Sequence, residues 1–202
     1  MSAAEVWDNQ ARTLEDARRA VWAEPDWKKG QALALAHLTD MPQSGEVVDV
    51  GAGVGRLTIP IALQRPEARL WAVDVSKKML GHLRQIARRA GADNIQTRRT
   101  DGERLPEALP EQVDGVWSVL TFQHIPPGGQ HRYLMEMADR LVTGGPLVVQ
   151  YVEGGEGDRG PLSHPVDSLQ MWEWLDEAGL DGTIEPGPHA FPTWRWIHAV
   201  KR

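Results

Sequence analysis

Residues 47–62, VVDVGAGVGRLTIPIA, constrain this chain more than any other stretch. Val47, Val48 and Val50 around Asp49 read as a strand covered on both faces, because such a strand shows an unbroken apolar run where a half-exposed one alternates. The run stops at Gly51, and Gly53 and Gly55 follow at a spacing of two. Without Cβ atoms these residues open positive φ and allow a ligand or another backbone to come close, at an entropic cost that a plain turn does not require. From Arg56 to Gln64 the spacing of Leu57, Ile61 and Ala62 predicts a helix. The glycines are thereby placed at a helix N-terminus, where unpaired N–H groups and the dipole favour an anion. Strand, glycine turn and helix, in that order, open a nucleotide-type site. Spacing selects among nucleotides: a dinucleotide fingerprint needs G-x-G-x-x-G, and Arg56 stands where its third glycine belongs.

The 202 residues suffice for one domain, residues 1–202, with a three-layer α/β core and no separate substrate domain, so cofactor and substrate share it. No cysteine is present, which excludes a disulfide framework, a thiolate metal site and a cysteine nucleophile. No metal site is expected. No apolar run approaches the roughly 20 residues of a membrane span, and the first 20 residues lack an apolar signal-peptide core. A soluble, cytoplasmic protein without a membrane partner is the expectation. A formal charge of −6 and a pI near 5.6 argue against the broad basic face that nucleic-acid enzymes present. The short basic clusters at Arg84 to Arg89 and at Arg98 and Arg99 read as solvated surface. Nine tryptophans against two phenylalanines and two tyrosines leave aromatic material to line an apolar pocket.

Strand and helix patterns alternate along the chain. An amphipathic helix is predicted from Ser2 to about Trp22, opened by a Ser2/Glu5 capping box and carrying Val6, Leu14, Val21 and Trp22 near one face. A second helix runs from about Trp27 to Leu38. Pro60 falls inside the helix after the glycines, either early enough to be tolerated or kinking it. A second strand, Arg69 to Val73, ends in Asp74; Ser76 caps a long helix to Ala90 that Gly91 closes. An acid at the end of that strand can take both hydroxyls of a ribose in charge-assisted bonds, and Met79, in the first turns of the helix, can pack on a base. The third strand, Ile95 to Arg99, runs into Asp101 and Gly102. Asp49, Asp74 and Asp101 thus lie by the carboxyl ends of three successive strands, the edge at which open α/β sheets bind ligands. Further strands are predicted at Val113 to Leu120, Pro146 to Val152, Thr183 to Glu185 and Thr193 to Val200. Helices are predicted at Gln130 to Leu141 and about Pro165 to Ala178. The loop from Glu153 to Pro165 is long enough to act as a lid.

The run D-V-G-A-G-V-G-R from Asp49 resembles motif I of the class I, Rossmann-like S-adenosylmethionine-dependent methyltransferases. Trp7 to Ala11 resembles the W-D-x-x-A segment that opens many small-molecule members. The line from Asp114 through His124, Ile125 and Pro126 resembles their D-x-V-x-x-x-x-x-x-x-H-I-P, and L-V-T-G-G-P from Leu141 their L-x-P-G-G, with Thr143 where proline is usual. The resemblance covers about residues 5–202. It implies a seven-stranded, mostly parallel sheet in the order 3-2-1-4-5-7-6, strand 7 antiparallel, with helices on both faces. It implies S-adenosylmethionine as cofactor, S-adenosylhomocysteine as product, and residues 1–40 as helices forming a lid. The cofactor-binding residues it implies are Asp49, Gly51, Ala52, Gly53, Gly55, Asp74, Val75, Met79, Asp101, Gly102 and Val119, with Asp74 on the ribose and Asp101 on the adenine amino group.

Methyl transfer from a sulfonium gains much of its rate from holding the nucleophile about 3 to 3.5 Å from the methyl carbon. A general base adds roughly 10² to 10⁴ where the acceptor must lose a proton. His124 is the candidate catalytic residue, as that base or as a group shaping the pocket; His164, Tyr151, Glu153, His189 and Arg195 are expected at the same cleft. The N-P-P-Y or D-P-P-Y of nucleic-acid amino-methyltransferases is absent, and Thr121 to His124 stand in its place. The expected acceptor is therefore a small molecule methylated on O or N, less readily on C, with nucleic acid second. Two other classes stay open: a nicotinamide-dependent oxidoreductase, and a regulator that binds S-adenosylmethionine without turning it over.

Overall fold

The computed structural model describes residues 2–21, 27–155, 163–188 and 192–202. The chain divides into two compact units, Met1–Pro110 and Glu111–Arg202.

The first unit carries helices α1 (Ala3–Gln10), α2 (Leu14–Val21) and α3 (Trp27–Ala36), then β1 (Ser44–Val50), α4 (Thr58–Gln64), β2 (Glu67–Asp74), α5 (Lys77–Ala90) and β3 (Ile95–Arg99). Strand β2 runs parallel to β1 on one side and to β3 on the other, with Val50 opposite Val73 and Asp74 opposite Arg99. The expected capping box is present: the Ser2 hydroxyl accepts from Glu5 N–H and the Glu5 carboxylate from Ser2 N–H. The single N-terminal helix predicted from Ser2 to Trp22 is instead two, and Trp22 lies outside the described residues. The first ends at Gln10 with Ala11 as its C-cap, and Thr13 starts the second, because its Oγ1 accepts from Asp16 N–H at 3.1 Å while Asp16 Oδ2 accepts from Thr13 N–H at 3.1 Å. A capping box inside an apolar periodicity overrides it locally.

Pro60 is tolerated, being the third residue of α4, where no intrahelical donor is needed. The carbonyl of Arg56, four residues earlier, accepts the side-chain amide of Gln31 at 2.6 Å. Helix α5 is as predicted: Ser76 accepts from Met79 N–H, Gly91 closes it at φ 74°, and Met79, Leu80, Leu83 and Ala87 form its buried stripe. Arg65, 6% exposed, donates to the carbonyls of Leu38, Thr39 and Met41 and so pins the chain after α3.

The second unit carries β4 (Gly115–Ser118), a 3-10 turn at Phe122–His124, α6 (Pro127–Arg140), β5 (Pro146–Val152), α7 (Ser168–Glu177), β6 (Leu180–Pro186) and β7 (Trp194–Lys201). Strand β5 is parallel to β4; β7 is antiparallel to both β5 and β6. Strand β4 is shorter than the predicted Val113 to Leu120, because Leu120 adopts φ 59° and turns the chain out of the sheet. The strands form one seven-stranded sheet in the order β3-β2-β1-β4-β5-β7-β6, the order expected. Among the described residues no helix is long and apolar enough to cross a membrane.

Gly182, in β6, shows how close β6 and β7 lie. A Cβ there would come within 2.2 Å of the His198 carbonyl oxygen and 2.6 Å of Ala199 Cα. Both are backbone and cannot swing away, so Gly182→Ala is expected to cost about 3 kcal/mol in urea unfolding through a displaced hairpin. A loss under about 1 kcal/mol would show that the hairpin gives way freely.

Candidate functional site

In the first unit the glycine turn is stitched onto the end of β2. Gly51 N–H and Ala52 N–H both donate to the Val73 carbonyl, at 2.8 and 3.0 Å, Gly53 N–H donates to Asp74 Oδ2 at 2.8 Å, and Gly55 N–H to the Ala52 carbonyl at 2.9 Å. Gly51, Gly53 and Gly55 take φ of 83°, 54° and 84°. The expectation of bare N–H groups at a helix N-terminus is corrected here: α4 begins only at Thr58, and these four amides are bonded within the turn and its neighbouring strand. A Cβ on Gly55 would lie 2.9 Å from Ile59 and 3.0 Å from Leu83, so this bare position serves close packing of the turn on α4 and α5.

Asp49 sits beneath the turn, 3% exposed, and accepts the Thr58 hydroxyl at 2.6 Å. It ties the end of β1 to the first residue of α4. Asp74 is buried as well. Its Oδ2 takes Gly53 N–H and its Oδ1 takes Ser76 N–H, each at 2.8 Å. Burial pushes its pKa up from 3.8 to about 6 against the pull of these bonds, and the nearby charge of Asp8 pushes the same way. A strongly perturbed acid at the carboxyl end of a strand is a candidate functional group.

Asp101 is exposed, and its Oδ1 accepts Glu103 N–H at 2.8 Å and Arg104 N–H at 3.1 Å. The Glu103 amide chiefly holds this carboxyl below the usual range. Gly102 follows at φ 92°, where a Cβ would meet Val75 Cγ2 at 3.3 Å and Ala3 Cβ at 3.9 Å. The start of α1 therefore lies beside Gly102. Met79, 1% exposed, packs with Ala11, Ala17 and Val54, and Trp7 covers that cluster.

One residue of the W-D-x-x-A segment has a role the sequence reading missed. Asp8 Oδ1 accepts the Ser76 hydroxyl at 2.5 Å and Lys78 N–H at 3.2 Å, so α1 supplies a carboxylate to the first turn of α5. Partial burial opposes its ionisation, yet these two bonds hold its carboxyl below the usual range. The signal was an Asp beside a Trp and a distant Ser cap, but pairing residues 68 apart needs the tertiary structure.

In the second unit Val119 is 9% exposed and precedes the left-handed Leu120. His124 ends the 3-10 turn, half-buried, with its Nε2 3.3 Å from the side-chain nitrogen of Gln123. His164 N–H donates to the Gln123 carbonyl at 2.8 Å, and the His164 carbonyl accepts Gln130 Nε2 at 2.7 Å. Tyr151, Glu153 and Arg195 come together around Ser168: Tyr151 pairs with the Ser168 hydroxyl at 2.8 Å, Ser168 donates to Glu153, and Arg195 donates to Glu153. Burial pushes the Tyr151 phenol to about 12, so it is neutral at physiological pH. His189 and residues 156–162 of the expected lid lie outside the described residues.

Residues 47–145 match the family profile described as a methyltransferase domain. The solved magnesium protoporphyrin IX methyltransferase ChlM of Synechocystis, crystallised with S-adenosylhomocysteine, superposes with TM-score 0.75 at 20% identity over 98% of this chain and 99% of its own. The cyclase SpnF superposes with TM-score 0.80 at 16% identity, over 99% and 96% of the two chains. The ribosomal RNA small subunit methyltransferase G of Nitrosospira multiformis is 28% identical over 134 residues, 63% of this chain and 55% of the relative. The chain spans about half the length of the curated relatives it matches. Residues 47–145 are thus a methyltransferase domain, and the fold is that of the class I, Rossmann-like methyltransferases, whose cofactor is S-adenosylmethionine.

Proposed function

We propose that this chain transfers a methyl group from S-adenosylmethionine to an O or N atom, less readily a C atom, of a small-molecule acceptor. The observation that carries this is Asp74, a carboxylate kept buried at the end of β2 although burial opposes its charge. Each carboxylate oxygen offers two acceptor sites; the Gly53 and Ser76 amides take one on each and the Val75 amide also points at the group, and the remaining capacity is what ribose hydroxyls would use. The second oxygen of Asp101 is left for an adenine amino group, and Gly102 keeps the adjoining space open beside Val75. In this reading Asp49, Gly51, Ala52, Gly53, Gly55, Val75, Met79 and Val119 complete the cofactor's surroundings.

The cofactor supplies an activated methyl group on a sulfonium. The chain's own work is to bind it, orient the acceptor and exclude water, so proximity is the main source of rate and His124 shapes the acceptor's place or takes its proton. Helices α1 to α3 serve as the lid, with residues 1–202 working as one functional domain in the cytoplasm. A small acceptor is supported by charge. The chain carries −6 overall, and within residues 111–202 acids outnumber bases by roughly two to one, a poor match for phosphate-rich RNA.

The likeness to SpnF, described as a cyclase, favours keeping a second reading, in which the cofactor is bound without methyl transfer. A thermal-shift series with S-adenosylhomocysteine, S-adenosylmethionine, NAD and NADP tests binding, with stabilisation by the first two alone expected. Incubation with labelled methyl donor against small amines, phenols, carboxylic acids and small-subunit ribosomal RNA then tests transfer. Label on the RNA and on no small molecule would overturn the acceptor assignment.

A further inference from the structure

Two features of the second unit have no place in the function proposed above: a non-glycine residue at positive φ, and a glutamine in the middle of a buried apolar strand. Leu120, directly after Val119, has φ 59°, the only positive φ outside glycine among the described residues. Leucine does not enter the left-handed region without steric cost between its Cβ and the following carbonyl. Gln150 is 0% exposed within the strand P-L-V-V-Q-Y-V. The two features meet. Leu120 N–H donates to Gln150 Oε1 at 2.9 Å, and Gln150 Nε2 donates to the Tyr151 carbonyl at 3.2 Å, which orients the amide. A side chain on β5 thus satisfies the backbone donor exposed where Leu120 turns out of β4.

Past Leu120 the chain is held at each step. Thr121 Oγ1 donates to the Val119 carbonyl at 3.2 Å, His124 N–H to the Thr121 carbonyl at 2.9 Å, and Ile125 N–H to the Phe122 carbonyl at 2.9 Å. Phe122, 0% exposed, anchors the turn in the core. The direction taken at Leu120 therefore sets where His124 points. Strained backbone of this kind persists only where surrounding structure over-determines it, and it concentrates at functional sites.

We propose that Gln150 is a positioning residue, whose amide holds Leu120 in the left-handed turn and so fixes the orientation of His124 at the acceptor's place. The catalytic half of this rests on the methyltransferase reading; the structural half does not. Gln150→Met removes the acceptor for Leu120 N–H at similar length. Leu120→Gly keeps that bond and adopts the left-handed conformation without steric penalty, so the turn stays in place. Leu120→Asn is the conservative control, because asparagine tolerates this conformation.

The first readout is the rate at which diethylpyrocarbonate modifies His124, followed by peptide mass, together with the His124 ring pKa by NMR. Gln150→Met is expected to change the modification rate severalfold, and Leu120→Gly and Leu120→Asn to keep it. The second readout is methyl transfer with whatever acceptor the labelling series yields. Here kcat is expected to fall about tenfold or more in Gln150→Met, with the Kd for S-adenosylhomocysteine unchanged within about twofold. Folded Gln150→Met with wild-type His124 reactivity overturns the proposal whatever the activity, and so does altered reactivity in Leu120→Gly, which keeps the Gln150 bond. If the wild type binds no S-adenosylhomocysteine, the methyltransferase reading fails, while altered His124 reactivity in Gln150→Met still supports the positioning role of Gln150.

Discussion

Asp74→Asn is expected to give a folded protein that binds S-adenosylhomocysteine about a hundredfold more weakly and shows a different dependence of stability on pH. The binding loss follows from two charge-assisted bonds, worth on the order of 3 kcal/mol together. The pH effect follows from linkage. Asp74 titrates near 6 in the folded chain and near 3.8 when unfolded. Between those values the folded state still carries a proton that the unfolded state has released, so the wild type loses stability as pH rises through the window. The loss is on the order of 3 kcal/mol and is complete above about pH 6. The Asn variant lacks this term, so the difference in urea unfolding free energy between wild type and variant should shift in the variant's favour between pH 4 and 6.5. Affinity runs the other way: wild-type binding should weaken as pH falls below about 6, since the protonated acid is a poorer acceptor. Asp8→Asn should move both transitions to lower pH by removing a neighbouring negative charge. A stability difference that is flat with pH would mean Asp74 titrates normally, and unchanged affinity by calorimetry would place the ribose elsewhere.

His124→Ala is expected to lower kcat by up to about 10², without a change in cofactor affinity, through a less well-placed acceptor. A general base would give a larger loss, roughly 10² to 10⁴, and a rate rising with pH through a group near 6.5. The geometry favours the smaller effect: ring Nε2 is already paired with the Gln123 amide, and a sulfonium leaving group needs no acid. His124→Gln distinguishes the two, because an amide keeps a hydrogen bond and cannot take the proton. Near-wild-type activity in His124→Gln with an unaltered pH profile is the expected result; an inactive Gln variant alongside a lost titration would make His124 the base.

Among structural residues the sequence was most legible where the determinants are local. The capping pair of Ser2 and Glu5, Ser76 and Gly91 at the ends of α5, and the apolar runs of β1 and β5 each act within a few residues, and each stands where it was expected. The Thr13 and Asp16 pair is equally local, and it was passed over because an apolar period ran through it. The glycine turn was legible as a turn, yet the destination of its amides was not. Those of Gly51, Ala52 and Gly53 bond to Val73 and Asp74 of a strand more than 20 residues further on, and only strand pairing brings those acceptors there.

The sequence by itself determined the element order after the N-terminal helices and the family-like glycine and acid pattern, and the resemblance carried by that pattern implied the order of the seven strands. The tertiary structure alone decided how charge and strain are distributed at the strand ends. Asp8 reaches the first turn of α5 across 68 positions, and Gln150 reaches Leu120 across 30. Neither distance has a periodic signature, since a hydrogen bond between separate elements depends on where packing sets two backbones. The acid that titrates near 6 and the leucine held left-handed are consequences of that packing, which supplies the burial for one and the opposing acceptor for the other.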